Sequence, residues 1–146
     1  MSSRRLILLN IISALENISI ANGYNTDVRY VSENLAVPSE LSVSKFPALF
    51  AIDADEIFEG KNQITSKLEI IINGYIKYSG DKNEKLDNLI DDVTKAVLSD
   101  RKRGCLANDT NILSITTDKG TDKKFGYFEM RFSVTYLHPD NFFQTN

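Results

Sequence analysis

Two segments of this chain alternate apolar and polar side chains over a length typical of long β-strands. In residues 67–78 one face receives the apolar side chains Leu68, Ile70, Ile72, Ile76 and Tyr78. In residues 128–136 one face receives Phe128, Met130, Phe132, Val134 and Tyr136. A period of two puts all of these side chains on the same side of a pleated strand. The pattern therefore predicts two long strands of a sheet that buries one face.

Two other segments carry the apolar spacing of amphipathic helices. Residues 3–21 predict the first helix, and Asn22-Gly23 follows as its stop signal. Polar residues interrupt the apolar run after Arg4 and Arg5, so a helix of the mature chain is favoured over a secretory leader. The second helix is predicted to follow a turn at residues 79–81. Its apolar stripe consists of Leu86, Leu89, Ile90, Val93 and Val97, and its solvated side of Asp87, Asp91, Asp92 and Lys95.

Shorter patterns complete the predicted fold. Residues 26–31, the apolar run 46–52 and residues 111–117 are predicted strands, and the segments 32–45 and 53–65 are predicted exposed loops. Residues 117–126 are expected to form a charged hairpin tip, and residues 140–146 a loose tail. The order α-β-β-β-α-β-β predicts an α+β fold, with a mostly antiparallel sheet of about five strands and two helices on one face.

The length, composition and charge of the chain limit its possible functions. At 146 residues the chain is expected to form one domain, with 42% hydrophobic and 25% charged residues. With a net charge of −3, the chain lacks the basic character of proteins that bind nucleic acid through its phosphates. The single cysteine excludes an internal disulfide, and no apolar run approaches the roughly 20 residues that span a membrane.

Two groups of residues are candidate sites of chemistry. Cys105 and His138 could form a thiol–imidazole pair, although neither has motif context. The sequence DADE at residues 53–56 could place carboxylates at a strand end, but it lacks the glycine and the distal glutamate of a calcium loop. No phosphate-binding glycine motif is present. The sequence thus predicts a protein that is not an enzyme and needs no cofactor or metal.

Other residues are candidates for contacts between proteins. The basic cluster at residues 101–104 would either interact with the negative end of the dipole of the second helix, or contact a phosphate or a protein partner. Aromatic residues in polar segments would either form a small apolar cluster beside the main core or insert into a neighbouring subunit. The candidate interface residues are Glu56, Phe58, Arg101, Arg103, Lys123, Lys124, Phe142 and Phe143.

The order of segments resembles the tail terminator family, minor tail proteins of long-tailed bacteriophages. The resemblance covers nearly the whole chain and has no single invariant signature. After the N-terminal helix, its segments are NGYNTDVRYV, FPALFAI, LEIIINGYIKYSGD, LDNLIDDVTKAVLSD, ILSITTDKG and YFEMRFSVTY. The resemblance implies one tail-terminator-like domain over residues 1–146 that assembles into a ring, typically a hexamer, on the last ring of the tail tube.

The resemblance also implies partners and a location. Such a ring stops tube polymerisation, contacts the tail tube protein and offers a surface to a head-completion or neck protein. DNA would pass through it without specific binding, and no membrane would be involved. The protein would be assembled in the host cytoplasm and reside in the virion, at the head-proximal end of the tail. Another neck or tail-completion protein is the main alternative; a cytoplasmic adaptor and a small hydrolase are the others.

Overall fold

Five strands form one sheet, and two helices cover the same face of it. The computed structural model of the protein describes residues 2–77, 82–118 and 124–138. In chain order the elements are α1 (Ser3–Glu16), β1 (Tyr30–Ser32), β2 (Ala48–Glu59), β3 (Thr65–Lys77), α2 (Lys82–Leu98), β4 (Asp109–Thr117) and β5 (Phe125–Leu137). The strands lie in the order β1-β2-β3-β5-β4. Only β1 and β2 pair in parallel among these neighbours. The predicted α+β fold is confirmed.

The core lies between the sheet and the helices. The apolar side chains that occupy every second position of β3 and β5 are fully or almost fully buried, as the period of two in the sequence predicted. They pack with the apolar stripes of α1 and α2 in one cluster. Gly74 belongs to the same face of β3, and its paired residue on β5 is Phe128, whose ring occupies the space above the glycine. One continuous core therefore fixes both helices to one side of the sheet.

The first helix is shorter than the sequence predicted. Ser2 caps the start of α1, since its side chain accepts a hydrogen bond from the N–H of Arg5, and the helix ends at Glu16 rather than near residue 21. Ser19 takes an extended conformation and accepts a hydrogen bond from the N–H of Asn22, which starts a separate 3₁₀ turn at Ile20–Asn22. Serine favours such caps over a helix interior, which explains the break. Gly23 ends that turn with φ of 90°.

The first strand is also shorter than predicted and lies further along the chain. Residues 26–29 are not part of β1, because Asp27 and Val28 form hydrogen bonds outside the sheet. The N–H of Val28 donates to the carbonyl of Ile18, and the carboxylate of Asp27 accepts from the N–H of Ile20. These contacts tie the segment to the residues that follow α1, before the chain joins the sheet at Tyr30.

The prediction of a loop at residues 53–65 was wrong for residues 53–59 and for Thr65, which belong to strands, whereas residues 60–64 do connect β2 to β3. β2 continues to Glu59 and pairs with β3 throughout, apart from a bulge between Asp53 and Glu56. The charged residues suggested the end of the strand, but two of them have partners. Asp53 pairs with Arg4 of α1, and Glu56 accepts a hydrogen bond from Tyr136. β2 and β3 thus form one long hairpin.

Candidate assembly surfaces

The β2–β3 hairpin closes at one end of the sheet, beside the end of β5, since Glu59 pairs with Thr65 and Thr65 pairs with Leu137. Residues 57–63 are all exposed, and Ile57 and Phe58 keep 60% and 50% of their surface accessible. We call residues 55–61 the hairpin arm. Two large exposed apolar side chains in sequence at the edge of the sheet indicate a contact surface.

A buried polar network supports the base of the arm. The hydroxyl of Tyr136 donates to Oε1 of Glu56 over 2.6 Å. His138 stacks on Phe58 with ring centroids 5.2 Å apart, and its Nε2 forms a hydrogen bond with Oγ of Ser66. Burial, and then the hydrogen bond to Glu56, raise the pKa of Tyr136 above its ordinary range. The hydrogen bond to Ser66 holds the ring of His138 in place, and Phe58 stacks on that ring.

The same network has the residue types of a catalytic triad but not its geometry. In a triad the base uses one ring nitrogen for the nucleophile and the other for the carboxylate. Here Nε2 of His138 faces both partners, because it lies against Ser66 Oγ and 3.9 Å from Oε2 of Glu56. Ser66 is also completely buried. This arrangement suits a structural network better than nucleophilic attack on a substrate.

The predicted carboxylate cluster at residues 53–56 is divided by the bulge. Arg4 pairs with Asp53 and donates from Nη2 to the carbonyl of Ala54 over 2.7 Å. Glu56 points into the buried network, whereas Asp55 is exposed beside Lys67 and Glu69 on the other face of the sheet. Within the described residues, no group of three His, Cys, Asp or Glu side chains is placed to hold a metal ion.

The second exposed apolar surface is a groove at the opposite end of the sheet. It has a volume of about 420 Å³. Its apolar lining consists of Ile20, Val43, Phe46, Pro47 and Ile76. Arg29, Lys77 and Lys85 stand among its polar lining residues with the acid Asp27. We call this the terminal groove; Val43 and Ile20 keep 65% and 60% of their surface exposed.

The walls of the terminal groove are held in place by contacts across the fold. Phe46 stacks on Phe125 with ring centroids 5.3 Å apart, and the ammonium of Lys45 lies 4.4 Å from the ring centre of Tyr30. The N–H of Asn25 donates to both carboxylate oxygens of Asp92, at 3.0 and 3.1 Å. Asp92 is only 2% exposed, so its predicted place on the solvated side of the second helix was wrong. It is an anchor for the loop that forms one wall.

The basic cluster after α2 separates into one buried and two exposed residues. Arg103 is completely buried and donates to the carbonyls of Val97 and Asp100, so it satisfies the carboxyl end of α2. Burial lowers the pKa of its guanidinium. Its assignment to an interface was therefore wrong, because a buried side chain cannot contact a partner. Lys102 is exposed, and so is Arg101, which bonds Asp109 at 2.8 Å and holds the pKa of that carboxyl below its usual range.

The remaining predicted interface residues have varied positions. Phe58 is on the hairpin arm, whereas Glu56 at its base is largely withdrawn into the network, with 8% of its side chain exposed. Lys124 is exposed just before β5. The residues outside the described part of the chain are Lys123, Phe142, Phe143, positions 119–123 of the predicted tip at 117–126 and the predicted tail at 140–146.

The proposed thiol–imidazole pair gains no support from the contacts of its members. His138 contacts Ser66, Phe58 and Tyr136, as described above or through ring packing at 5.0 Å. Cys105 is exposed on a turn in which Arg103, Gly104 and Cys105 all have positive φ. Sequence reasoning missed three residues of the exposed surfaces, namely Ile57, Ile20 and Val43. A signal was present for Ile57, since an apolar residue directly before Phe58 in a charged segment already suggests contact.

The structure therefore defines an α+β protein with two separate apolar surfaces and no accessible constellation of catalytic groups among its described residues. No helix in the described part of the chain has the length and apolar character needed to cross a membrane. A scan against protein-family models gives no match for this sequence. A search of curated proteins gives no match either.

Proposed function

We propose that this protein is a phage tail terminator, a structural subunit that closes the tail tube as a ring. The proposal has two supports: the order of segments along the chain resembles that family, and the confirmed α+β fold agrees with the fold expected from it. In this role the protein acts by shape. Its copies dock around an axis, present one face to the tail tube protein and present another to a head-completion or neck protein.

The observation that carries the proposal is the position of the two apolar surfaces. The hairpin arm lies where β2 ends and β3 begins, and the terminal groove lies where β2 begins and β3 ends. Two different patches on opposite ends of one molecule favour head-to-tail contacts between copies. Such heterologous contacts generate a closed ring when the rotation between copies completes a circle.

The size and charge of the chain are compatible with a ring around DNA. The radius of gyration expected for this length is about 15 Å, so each copy is roughly 35–40 Å across. Six touching spheres leave a central opening as wide as one sphere, which admits a duplex even when loops narrow it. A net charge of −3 suits a conduit, because a basic lumen would hold the DNA that has to pass.

A buried polar network is the main argument for an enzyme, and its geometry disfavours that alternative. Ser66 has no exposed surface, and one nitrogen of His138 serves both neighbours. The nearest competing role is another neck or tail-completion protein, which would use the same surfaces at a neighbouring position in the virion. A cytoplasmic adaptor would instead bind a single host protein and form no ring on tail tubes.

Disruption of the gene during phage assembly tests the proposed function. We expect tails of irregular, extended length that fail to join heads, because nothing would stop tube polymerisation or supply the joining surface. A plasmid copy of the gene should restore both tail length and joining. Tails of normal length that join heads without the protein would refute the terminator role. Tails of normal length that fail to join heads would point to a neck protein.

A further inference from the structure

We infer that residues 139–146 fold back over the face of the sheet opposite the helices and pack Phe142 and Phe143 against exposed apolar side chains there. We call these residues the strap and that side of the sheet the open face. The strap follows β5 directly and lies outside the described residues. The inference concerns the fold of the isolated chain, so it does not depend on the proposed terminator role.

The open face carries three large apolar side chains close to the point where the strap begins. Ile57, Leu113 and Leu137 keep 60%, 59% and 48% of their surface accessible. Ile57 pairs with Lys67, which pairs in turn with Thr135, and paired residues point to the same face. Thr135 and Leu137 alternate with the buried side chains of β5, and Leu113 borders the same depression as Ile57. All three apolar side chains therefore lie on the side of the sheet that the helices leave uncovered.

A depression of about 350 Å³ separates Ile57 on β2 from Leu113 on β4. Its floor includes Ser133 and Thr135 of β5, whose short side chains lie between the longer ones and so leave the space open. The polar rim consists of Asp55, Lys67, Glu69 and Asn111. The volume lies within the roughly 300–1,000 Å³ of sites that enclose small organic molecules, so the depression has room for a phenyl ring.

The strap is long enough to reach this depression within one molecule. The N–H of His138 donates to the carbonyl of Ile64 over 2.9 Å, which fixes where the strap begins. Phe142 follows Leu137 by five residues, and an extended chain of that length spans up to about 17 Å. Neighbouring strands lie about 5 Å apart, so β4 lies about 5 Å and β2 about 10 Å from β5. A tether this short gives the strap a high effective concentration at its own sheet, which favours its own molecule over a second copy.

The composition of the strap suits an apolar contact. Its sequence PDNFFQTN contains two adjacent phenylalanines and a single charged residue, Asp140. Pro139 has no N–H to donate, so it cannot extend the hydrogen-bond ladder of β5. A strap on the open face shields Ile57 of the hairpin arm, and a partner that docks on this side of the arm then has to displace it.

Disulfide formation within one chain tests the strap. The background is Cys105→Ser, which removes the only native cysteine, and the test protein adds Leu113→Cys and Phe143→Cys. Under mild oxidation of a dilute solution we expect an intramolecular disulfide, seen as a monomer of altered mobility in a non-reducing gel. A control protein carries Val43→Cys in place of Leu113→Cys. Val43 is 65% exposed but lines the terminal groove at the other end of the sheet, so its disulfide should form more slowly by at least about tenfold.

A second set of variants separates docking from mere proximity. Adding both Ile57→Ser and Phe142→Ser to the test protein should slow the disulfide by at least about tenfold, because the apolar contacts are lost while the tether is unchanged. Ile20→Ser, at a residue that is 60% exposed at the other end of the sheet, should leave the rate unchanged. Circular dichroism establishes that each variant is folded.

Three results would overturn the inference. The first is a rate no higher than that of the Val43→Cys control, and the second is a rate that survives the two serine substitutions. The third is a disulfide that forms only between chains and faster at higher concentration, which would mean that the strap docks on a second copy. None of these measurements involves tail tubes or heads, so their failure leaves the terminator role untouched, and the loss of that role leaves the strap in place.

Discussion

Several charged side chains that look like surface residues in the sequence hold the fold together. Asp92 is buried against the N–H of Asn25, 67 residues earlier in the chain, and Arg103 is buried against the carbonyls at the end of α2. Buried charges persist where hydrogen bonds compensate their lost hydration. Both residues are therefore expected to influence stability, and Asp92 also the shape of the terminal groove through Asn25, rather than to meet a partner directly.

Replacement of Asp92 should destabilise the protein, whereas replacement of its neighbour should not. We expect Asp92→Ala to lower the free energy of unfolding by about 1–3 kcal/mol, because the N–H of Asn25 loses its acceptor in a partly buried site. Asp91 is exposed, so Asp91→Ala should change stability by less than about 0.5 kcal/mol. Urea unfolding of both variants measures the difference. Equal effects would mean that Asp92 is no anchor.

The buried hydroxyl of Tyr136 should make stability depend on alkaline pH. Its pKa is raised in the folded protein, so above about pH 10 the unfolded chain ionises while the folded one keeps its proton. The contribution of this tyrosine is thus complete below pH 10 and is lost as the pH rises further. We expect Tyr136→Phe to be less stable by about 1–3 kcal/mol at pH 7.

The pH dependence of that difference is the informative measurement. Urea unfolding at pH 7 and at intervals above pH 10 should show the gap between the two proteins shrinking as the pH rises. Tyr75 and Tyr127, whose pKa values are raised chiefly by burial, remain in both proteins and cancel in the comparison. A gap that stays constant to high pH would show that the hydroxyl of Tyr136 is not held in the way described.

The strands show how far the sequence could be read and where it misled. Period-two alternation identified β3 and β5 and the buried face of each, because a half-buried strand leaves that pattern directly in the chain. The outer half of β2 was missed since four acidic residues between positions 53 and 59 resemble a solvated loop. The partners that make those positions compatible with a strand, Arg4 and Tyr136, are distant in sequence.

The close contact between β3 and β5 at Gly74 predicts that a larger side chain at this position destabilises the protein. A methyl group at Gly74 would lie 2.0 Å from Cε1 of Phe128, a ring that is completely buried. We expect Gly74→Ala to destabilise the protein by about 1–3 kcal/mol through overpacking of this site. Adding Phe128→Leu should recover part of the loss, because the smaller side chain makes room. Thermal unfolding of the two single variants and the double variant measures the coupling.

Additive effects of the two substitutions would contradict this packing. Gly23 is the matched control, since a methyl group there meets only the flexible end of Lys95 at 3.9 Å. Its φ of 90° makes Gly23→Ala costly for a different reason, backbone strain, and Phe128→Leu should not relieve that cost. Only the Gly74 variant should therefore respond to the change at Phe128.

The whole molecule is a sheet with an apolar arm at one end and an apolar groove at the other. The sequence foreshadowed a part of this, since Phe58 stood out as an aromatic residue in a charged segment. It could not reveal the groove, because its apolar lining comes from three stretches of chain, around Ile20, Val43 to Phe46 and Ile76, that only the fold brings together. Assembly surfaces of this kind are properties of the tertiary structure, whereas strands and helices leave local patterns.

The most direct test of this assembly is electron microscopy of tail tubes grown with and without the purified protein. We expect a single additional ring of the protein at one end of each tube, and no further growth when tube protein is added at that end. The double variant Ile57→Ser with Phe58→Ser should leave tube ends bare. Tubes that stay bare and continue to grow in the presence of excess folded wild-type protein would contradict the ring and the termination of the tube together.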